Sequence, residues 1–295
     1  MDMKLEPTFL GTGAAELYPN PFCGCETCER ARRNRETRLR ACFLLDETMM
    51  VDFGPDVSAA SQHYGVPLYD VEHVLITHTH EDHFNSATFS VLTMTNMKHP
   101  IHFYLSAAGL AWVERVIEAE RGITGSFGGM LAGLQKNGKV VFHAVDPYRT
   151  YDIGGKRVTP LKTVHRGYGE GETAQNYIIE WDRGAWLYAA DTSLYGEENL
   201  AFLGEWVKTH GALDTMIFEG TFGSRRLPKD SGHMDVYQLA QQFADLRRAA
   251  ALDAHTRVFI THINQVQDFS HAEYQNFLNL HGGANVTVAH DGMRI

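Results

Sequence analysis

Val74-Leu-Ile-Thr77 runs directly into His78-Thr-His80-Glu-Asp82-His83, and this passage decides how the rest of the chain is read. An unbroken apolar and β-branched run without polar alternation predicts a strand buried on both faces. Its end then presents three imidazoles and one carboxylate on a single turn. Buried polar groups lose free energy unless they are partnered, and metal ions partner all four at once. Imidazole nitrogen and carboxylate oxygen suit zinc, iron or manganese, and H-x-H-x-D-H spacing can hold two ions close enough to share an oxygen ligand.

Outward from this passage the same grammar recurs. Leu161-Lys-Thr-Val-His165, Trp186-Leu-Tyr-Ala-Ala-Asp191 and Val258-Phe-Ile-Thr-His262 each end a strand-like run in a metal-ligating residue type. Strands are predicted at residues 8–10, 42–45, 49–53, 71–77, 101–105, 139–144, 157–164, 177–181, 185–190, 215–219, 258–261 and 286–289. Apolar residues at three- and four-residue spacing predict helices over 107–120, 197–210, 234–250 and 271–280. Neither strict βαβ alternation nor an all-β pattern fits; helices outside packed sheets, an α/β (α+β) layered architecture, accommodates the order. No Pro/Gly/Ser-rich linker divides the chain, so residues 1–295 are read as a single domain. Within it, the segment 106–138 forms either a helical cap beside the site or an ordinary connecting helix pair.

Composition narrows the function. A net charge of −10 works against binding a phosphate backbone, which makes nucleic acid an unlikely partner. The one basic stretch, six arginines between Arg30 and Arg40, reads as a solvated helix face. The first residues show no signal-peptide pattern and no later run reaches the length of a membrane span, so the expectation is a cytoplasmic protein without membrane contact. Cys23-Gly-Cys25-Glu-Thr-Cys28 lies too tightly spaced for a disulfide framework, and C-x-C-x-x-C supplies three thiolates for a tetrahedral structural zinc in a loop over 18–40. The same segment could support a homodimer.

The T-H-x-H-x-D-H turn after a strand, followed by separate His, Asp and His residues and by the upstream Val51-Asp52-Phe-Gly54, resembles the metallo-β-lactamase superfamily. The resemblance implies an αββα sandwich with two divalent metal ions at one edge. By motif, His78, His80 and His165 would hold one ion, Asp82, His83 and His262 the other, with Asp191 bridging; Asp52 would orient a ligating imidazole through its far nitrogen. The cysteine cluster after the first strand is similar to that of the phosphoribosyl 1,2-cyclic phosphate phosphodiesterase branch, where it holds a structural zinc. That branch takes its fourth zinc ligand three residues after the last active-site histidine, a position filled here by Gln265, which leaves Cys42 or His271 as alternatives.

Phe218-Glu219-Gly-Thr-Phe-Gly and Ser231-Gly-His233-Met-Asp235 resemble the segment that brings a proton-donating histidine to the substrate phosphate in such phosphodiesterases. This makes Asp82, Asp191 and His233 the expected catalytic side chains, with Arg225 and Arg226 as candidate phosphate contacts. The expected reaction is hydrolysis of a small, cyclic phosphodiester by a hydroxide shared between the two metals. Two other functions stay open: hydrolysis of a lactone or thioester by the same site, and a metal-binding accessory role like that of the pyrroloquinoline quinone biosynthesis protein.

Overall fold

The computed structural model describes residues 5–122, 129–283 and 285–295. One sheet is built from β1 (Thr8–Gly11), β2 (Cys42–Leu44), β3 (Met49–Val51), β4 (His73–Leu75), β5 (Ile101–Leu105) and β6 (Val140–Ala144), lying side by side in chain order. The other holds β7 (Tyr151–Ile153), β8 (Lys156–Arg166), β9 (Thr173–Trp181), β10 (Gly184–Ala189), β11 (Thr215–Glu219), β12 (Arg257–Thr261) and β13 (Val286–Val288), again in chain order. Each sheet begins with antiparallel pairs and ends with parallel ones.

Parallel neighbours need a crossover, and helices supply it. In the first sheet these are α1's successor α2 (Val57–Tyr64), a 3-10 helix at Ser86–Leu92, α3 (Ala107–Arg121) and α4 (Met130–Lys136), α1 itself being Glu26–Asn34 in the cysteine loop. In the second they are α5 (Glu197–His210), α6 (Val236–Arg248) and α7 (His271–His281).

Three apolar layers hold the sheets and helices together. Phe9, Phe43, Val51, Tyr177, Ile179, Trp186, Tyr188 and Phe259 fill the space between the sheets. Alternate residues of the same strands face outward: Ile178, Leu187, Ala189, Val258 and Ile260 pack with Leu203, Phe243 and Leu278 of the second sheet's helices. On the other side Val74, Phe103 and Leu105 pack with Val113, Ile117 and Leu131. Strands covered on both faces must be apolar along their whole length, which is why the runs before His78, Asp191 and His262 read as nearly unbroken, whereas β8 alternates buried and exposed residues as it approaches His165. Phe43, 1% exposed and in ring contact with Trp186 and Tyr188, sits where truncation to alanine costs about 3–5 kcal/mol. The αββα sandwich expected from the sequence is therefore the fold.

In the segment 106–138, α3 and α4 lie against the outer face of the first sheet, in its apolar layer, and residues 123–128 are outside the described residues. The arginine run departs from expectation in part. α1 ends at Asn34, and Arg35 turns the chain through a left-handed conformation (φ 57°). Arg38 then points inward, 6% exposed, donating to Thr12 Oγ1 (2.6 Å) and the Ala289 carbonyl (2.7 Å). Arg32 and Arg33 on α1 form the solvated face expected there, whereas Arg38, beyond the break in helical register, ties two distant segments together instead. Among the described residues no helix is long and apolar enough to cross a membrane.

Candidate metal centre

In open α/β sheets, ligands gather beyond the carboxyl ends of the parallel strands. Here β3 delivers Asp52, β4 leads into residues 76–83, β11 ends at Glu219, β10 and β12 lead out to Asp191 and His262, and β8 carries His165 near its end. Asp52 (φ 68°), Asp191 (φ 50°) and His262 (φ 57°) all adopt the left-handed conformation that costs a non-glycine residue energy. The turn they share swings each side chain off its strand and back over the sheet edge.

Two groups of donor atoms result. His78, His80 and His165 form one and Asp82, His83, Asp191 and His262 the other, with the ligand atoms of each within 4.8 Å of one another; Glu219, His233 and His262 meet the same limit beside them. In the first, His80 Nδ1 is 2.9 Å from His78 Nε2 and 3.2 Å from His165 Nε2. In the second, His83 Nε2 is 3.2 Å from both His262 Nε2 and Asp82 Oδ2. Asp191 Oδ2 faces both, 3.3 Å from His78 Nε2 and 3.0 Å from His83 Nε2. The seven residues named from the sequence lie together here, with Asp191 grouped with Asp82, His83 and His262 while facing the first set.

The site fits cations. Asp191 Oδ1 is buried and makes no hydrogen bond, although His262 Nδ1 lies 3.1 Å away. Burial pushes His78 well below the ordinary imidazole range, keeping it neutral as a metal ligand must be. Burial also works against charge on Asp191, yet His262, His83 and His165 hold its carboxyl well below the usual carboxylate range. At His83 burial is again opposed, by Asp82, Asp52 and Asp191, and its pKa rises well above normal. Positive charge is favoured where these carboxylates converge.

The far nitrogens are fixed as well. His83 Nδ1 meets Asp52 Oδ2 at 2.7 Å, and Asp52 Oδ1 accepts from the Thr77 N–H (2.8 Å) and Thr77 Oγ1 (2.9 Å). His165 Nδ1 faces the Gly232 carbonyl at 3.1 Å, and His262 Nδ1 faces Thr221 Oγ1 at 3.0 Å. Such partners set each ring's tautomer and orientation.

His233 is brought beside both groups, its ring 4.7 Å from that of His165 and 5.9 Å, stacked, from that of His262. Its Nδ1 lies 3.1 Å from Glu219 Oε1, a carboxylate with no solvent exposure that also accepts from the Thr192 N–H at 2.7 Å. Burial opposes protonation of His233, but Glu219 and then Asp191 outweigh it and push its pKa up to about 9. A capping box beginning α6 anchors the turn: Asp235 accepts from Tyr237 and Gln238, and Gln238 accepts from the Asp235 N–H. Glu219 and Thr221 went unassigned in the sequence, although both stand in the quoted Phe218-Glu219-Gly-Thr passage. The signal was there in a buried strand ending on a carboxylate.

Glu172 was missed too. It is 2% exposed and accepts from the Thr79 N–H (3.0 Å), Thr79 Oγ1 and the Gly169 N–H (2.7 Å), tying the loop after His165 to the residue between His78 and His80. Tyr168, pushed up to about 12 by its hydrogen bond to Glu81, lies on that loop.

Cys23, Cys25 and Cys28 come together with sulfurs within 4.8 Å. A hydrogen bond from the Cys28 N–H lowers the Cys25 thiol, whereas burial pushes Cys28 up to about 11. Gln265 lines the same cavity as Cys23 and Cys25, and its buried Oε1 has no hydrogen-bond partner. Cys42 is instead in the first sheet's outer core, its thiol donating to the Asp52 carbonyl, and His271 sits against Arg38. Arg225 lines the cysteine cavity, and Arg226 lies 3.3 Å over the Tyr237 ring, 66% exposed. The structure places neither arginine among the groups around His233.

Among curated proteins none matches the chain in sequence. Solved structures share its fold from end to end. A diphosphatase of the PhnP family is 18% identical with a TM-score of 0.70, over 99% of this chain and 97% of that one. Zn(2+)-bound PqqB from Methylobacterium extorquens is 16% identical with a TM-score of 0.73, over 99% of each chain. The short form of human tRNase Z is 18% identical with a TM-score of 0.59, over 99% and 98%. At such identities the likeness is one of fold. Residues 48–263, which contain both donor groups and His233, match the beta-lactamase superfamily domain, and the chain belongs to that superfamily.

Proposed function

We propose that the chain is a dinuclear metal-dependent hydrolase acting on a small phosphodiester. The observation that carries this reading is His233: a histidine held on a buried carboxylate, in ring contact with one residue from each donor group. Two divalent ions, zinc, manganese or iron, held by His78, His80, His165, Asp82, His83, His262 and the shared Asp191, would supply Lewis acidity and the activated water of a hydrolysis. The cysteine trio would hold a separate structural zinc.

The chain's own residues do the rest. Asp191 faces both groups and sets their separation. Glu219 engages His233 at Nδ1, so the proton for the departing alkoxide is carried on Nε2. A thioester expels a thiolate, which leaves without a proton, so a proton donor at this place favours a substrate whose leaving group is an alkoxide, as in a phosphodiester.

The test is turnover of bis(p-nitrophenyl) phosphate and a 1,2-cyclic ribose phosphate beside a lactone and a thioester, with metal content measured and with His233→Ala. A fall of about 100-fold or more on the cyclic ribose phosphate in the variant, within the range for losing a general acid, beside a much smaller fall on bis(p-nitrophenyl) phosphate, whose p-nitrophenolate leaves unprotonated, supports the reading. Lactone or thioester turnover alone redirects the site to carbonyl chemistry. Bound metal without turnover makes the protein a metal-binding accessory.

A further inference from the structure

Directly after His165, residues 167–172 cross beside the metal centre on the way to β9. The loop is drawn inward onto Glu172 so closely that a Cβ at Gly167 would meet Glu172 Oε2 at 2.3 Å, and one at Gly169 the Ala108 carbonyl oxygen at 2.5 Å. Between these glycines stands Tyr168. Its N–H donates to Thr79 Oγ1 at 2.9 Å, and its hydroxyl donates to Glu81. Its ring meets that of His80 edge-on at 4.8 Å, with Trp112 at 5.7 Å.

Tyr168 nevertheless remains 49% exposed. An exposed aromatic side chain ordinarily samples several rotamers; this one is fixed at backbone, ring and hydroxyl, none of which serves as a metal ligand or proton donor. Aromatic surface fixed in advance, against a ligating imidazole, loses little entropy when a second ring packs on it.

We infer that Tyr168 forms a wall of the substrate cleft and contacts the ester group that stays on phosphorus, selecting diesters that carry a planar ring there. The inference rests on the phosphodiester reading. Glu81 and Glu172 are positioning residues for this wall.

Two substrates with one leaving group isolate the contact: bis(p-nitrophenyl) phosphate retains an aryl ester after release of p-nitrophenol, and methyl p-nitrophenyl phosphate retains a methyl. The protein should prefer the aryl diester in kcat/KM. Tyr168→Leu, which keeps apolar bulk against His80 and Trp112, should reduce that preference by about five-fold or more, the scale of one aromatic stacking contact. Tyr168→Phe should retain most of it, and both variants should keep the full metal content.

An aryl-to-methyl ratio unchanged in Tyr168→Leu overturns the inference while leaving the phosphodiester reading standing. Loss of metal, or an equal fall on both substrates, also overturns it and reduces Tyr168 to a support for His80. No turnover of either diester by the unmodified protein overturns both readings.

Discussion

Replacing Asp52 by asparagine should weaken one metal site and spare the other. Asp52 is fully buried, with one oxygen accepting from Thr77 N and Oγ1 and the other meeting His83 Nδ1 at 2.7 Å. Asparagine keeps a single acceptor oxygen. If that oxygen faces Thr77, an NH2 group opposes the His83 N–H; if it faces His83, the NH2 opposes two Thr77 donors. Either way donor meets donor. His83 escapes by moving its proton to Nε2, the nitrogen 3.0 Å from Asp191 Oδ2 and 3.2 Å from Asp82 Oδ2, and a protonated nitrogen cannot ligate. Losing such a partner typically weakens metal binding 10- to 100-fold, or about 1.4–2.7 kcal/mol. The affected set is Asp82, His83, Asp191 and His262; His78, His80 and His165 do not touch Asp52. Burial holds the Asp52 carboxyl above the usual carboxylate range despite His83 and Thr77, so the metal-free fold should tolerate the loss of charge with little change in urea midpoint. Chelator competition with metal stoichiometry is the assay. The expected result is one ion retained at unmodified affinity and one released at 10- to 100-fold lower chelator activity; two ions retained as in the parent protein refute the role given to Asp52.

The remaining expectations concern the cysteine loop and the first sheet. Gln265→His should slow chelator-driven zinc loss from the Cys23–Cys25–Cys28 group by on the order of ten-fold, because imidazole is a better zinc donor than a carboxamide; unchanged release kinetics would remove Gln265 from that site. His73 and His143 have pKa values lowered by burial, with His143 Nε2 2.8 Å from His102 Nδ1. A folded state that prefers neutral imidazole is fully favoured above the unfolded pKa of about 6.5, and that contribution is lost as pH falls through the lower folded values. The urea midpoint should therefore drop between about pH 8 and about pH 5, and less so in His73→Phe/His143→Phe; identical pH profiles for the two proteins would contradict this.

Much of the site was legible in the sequence because its chemistry is local. His78, His80, Asp82 and His83 share one turn, and His165, Asp191 and His262 each end a strand-like run, so residue type and strand position together marked them. The strands themselves were legible because both faces of each sheet are covered, which forces continuous apolar runs. The short elements α2 and β7 escaped notice because they are brief, and periodicity needs length to register.

What only tertiary structure decided were relations between distant residues. Arg38 looked like one more surface arginine until the register break after Asn34 turned it inward against Thr12 and Ala289. Glu219 and Glu172 carry no special spacing; their roles arise because β11 ends beside His233 and because the loop after His165 folds back onto Thr79. Sequence alone determined which residues could bind metal, since ligand chemistry belongs to the side chain. Which carboxylate orients which imidazole, and which aromatic stands at the cleft, depends on strand ends far apart in the chain meeting at one sheet edge, and only the packing of the two sheets brings them there.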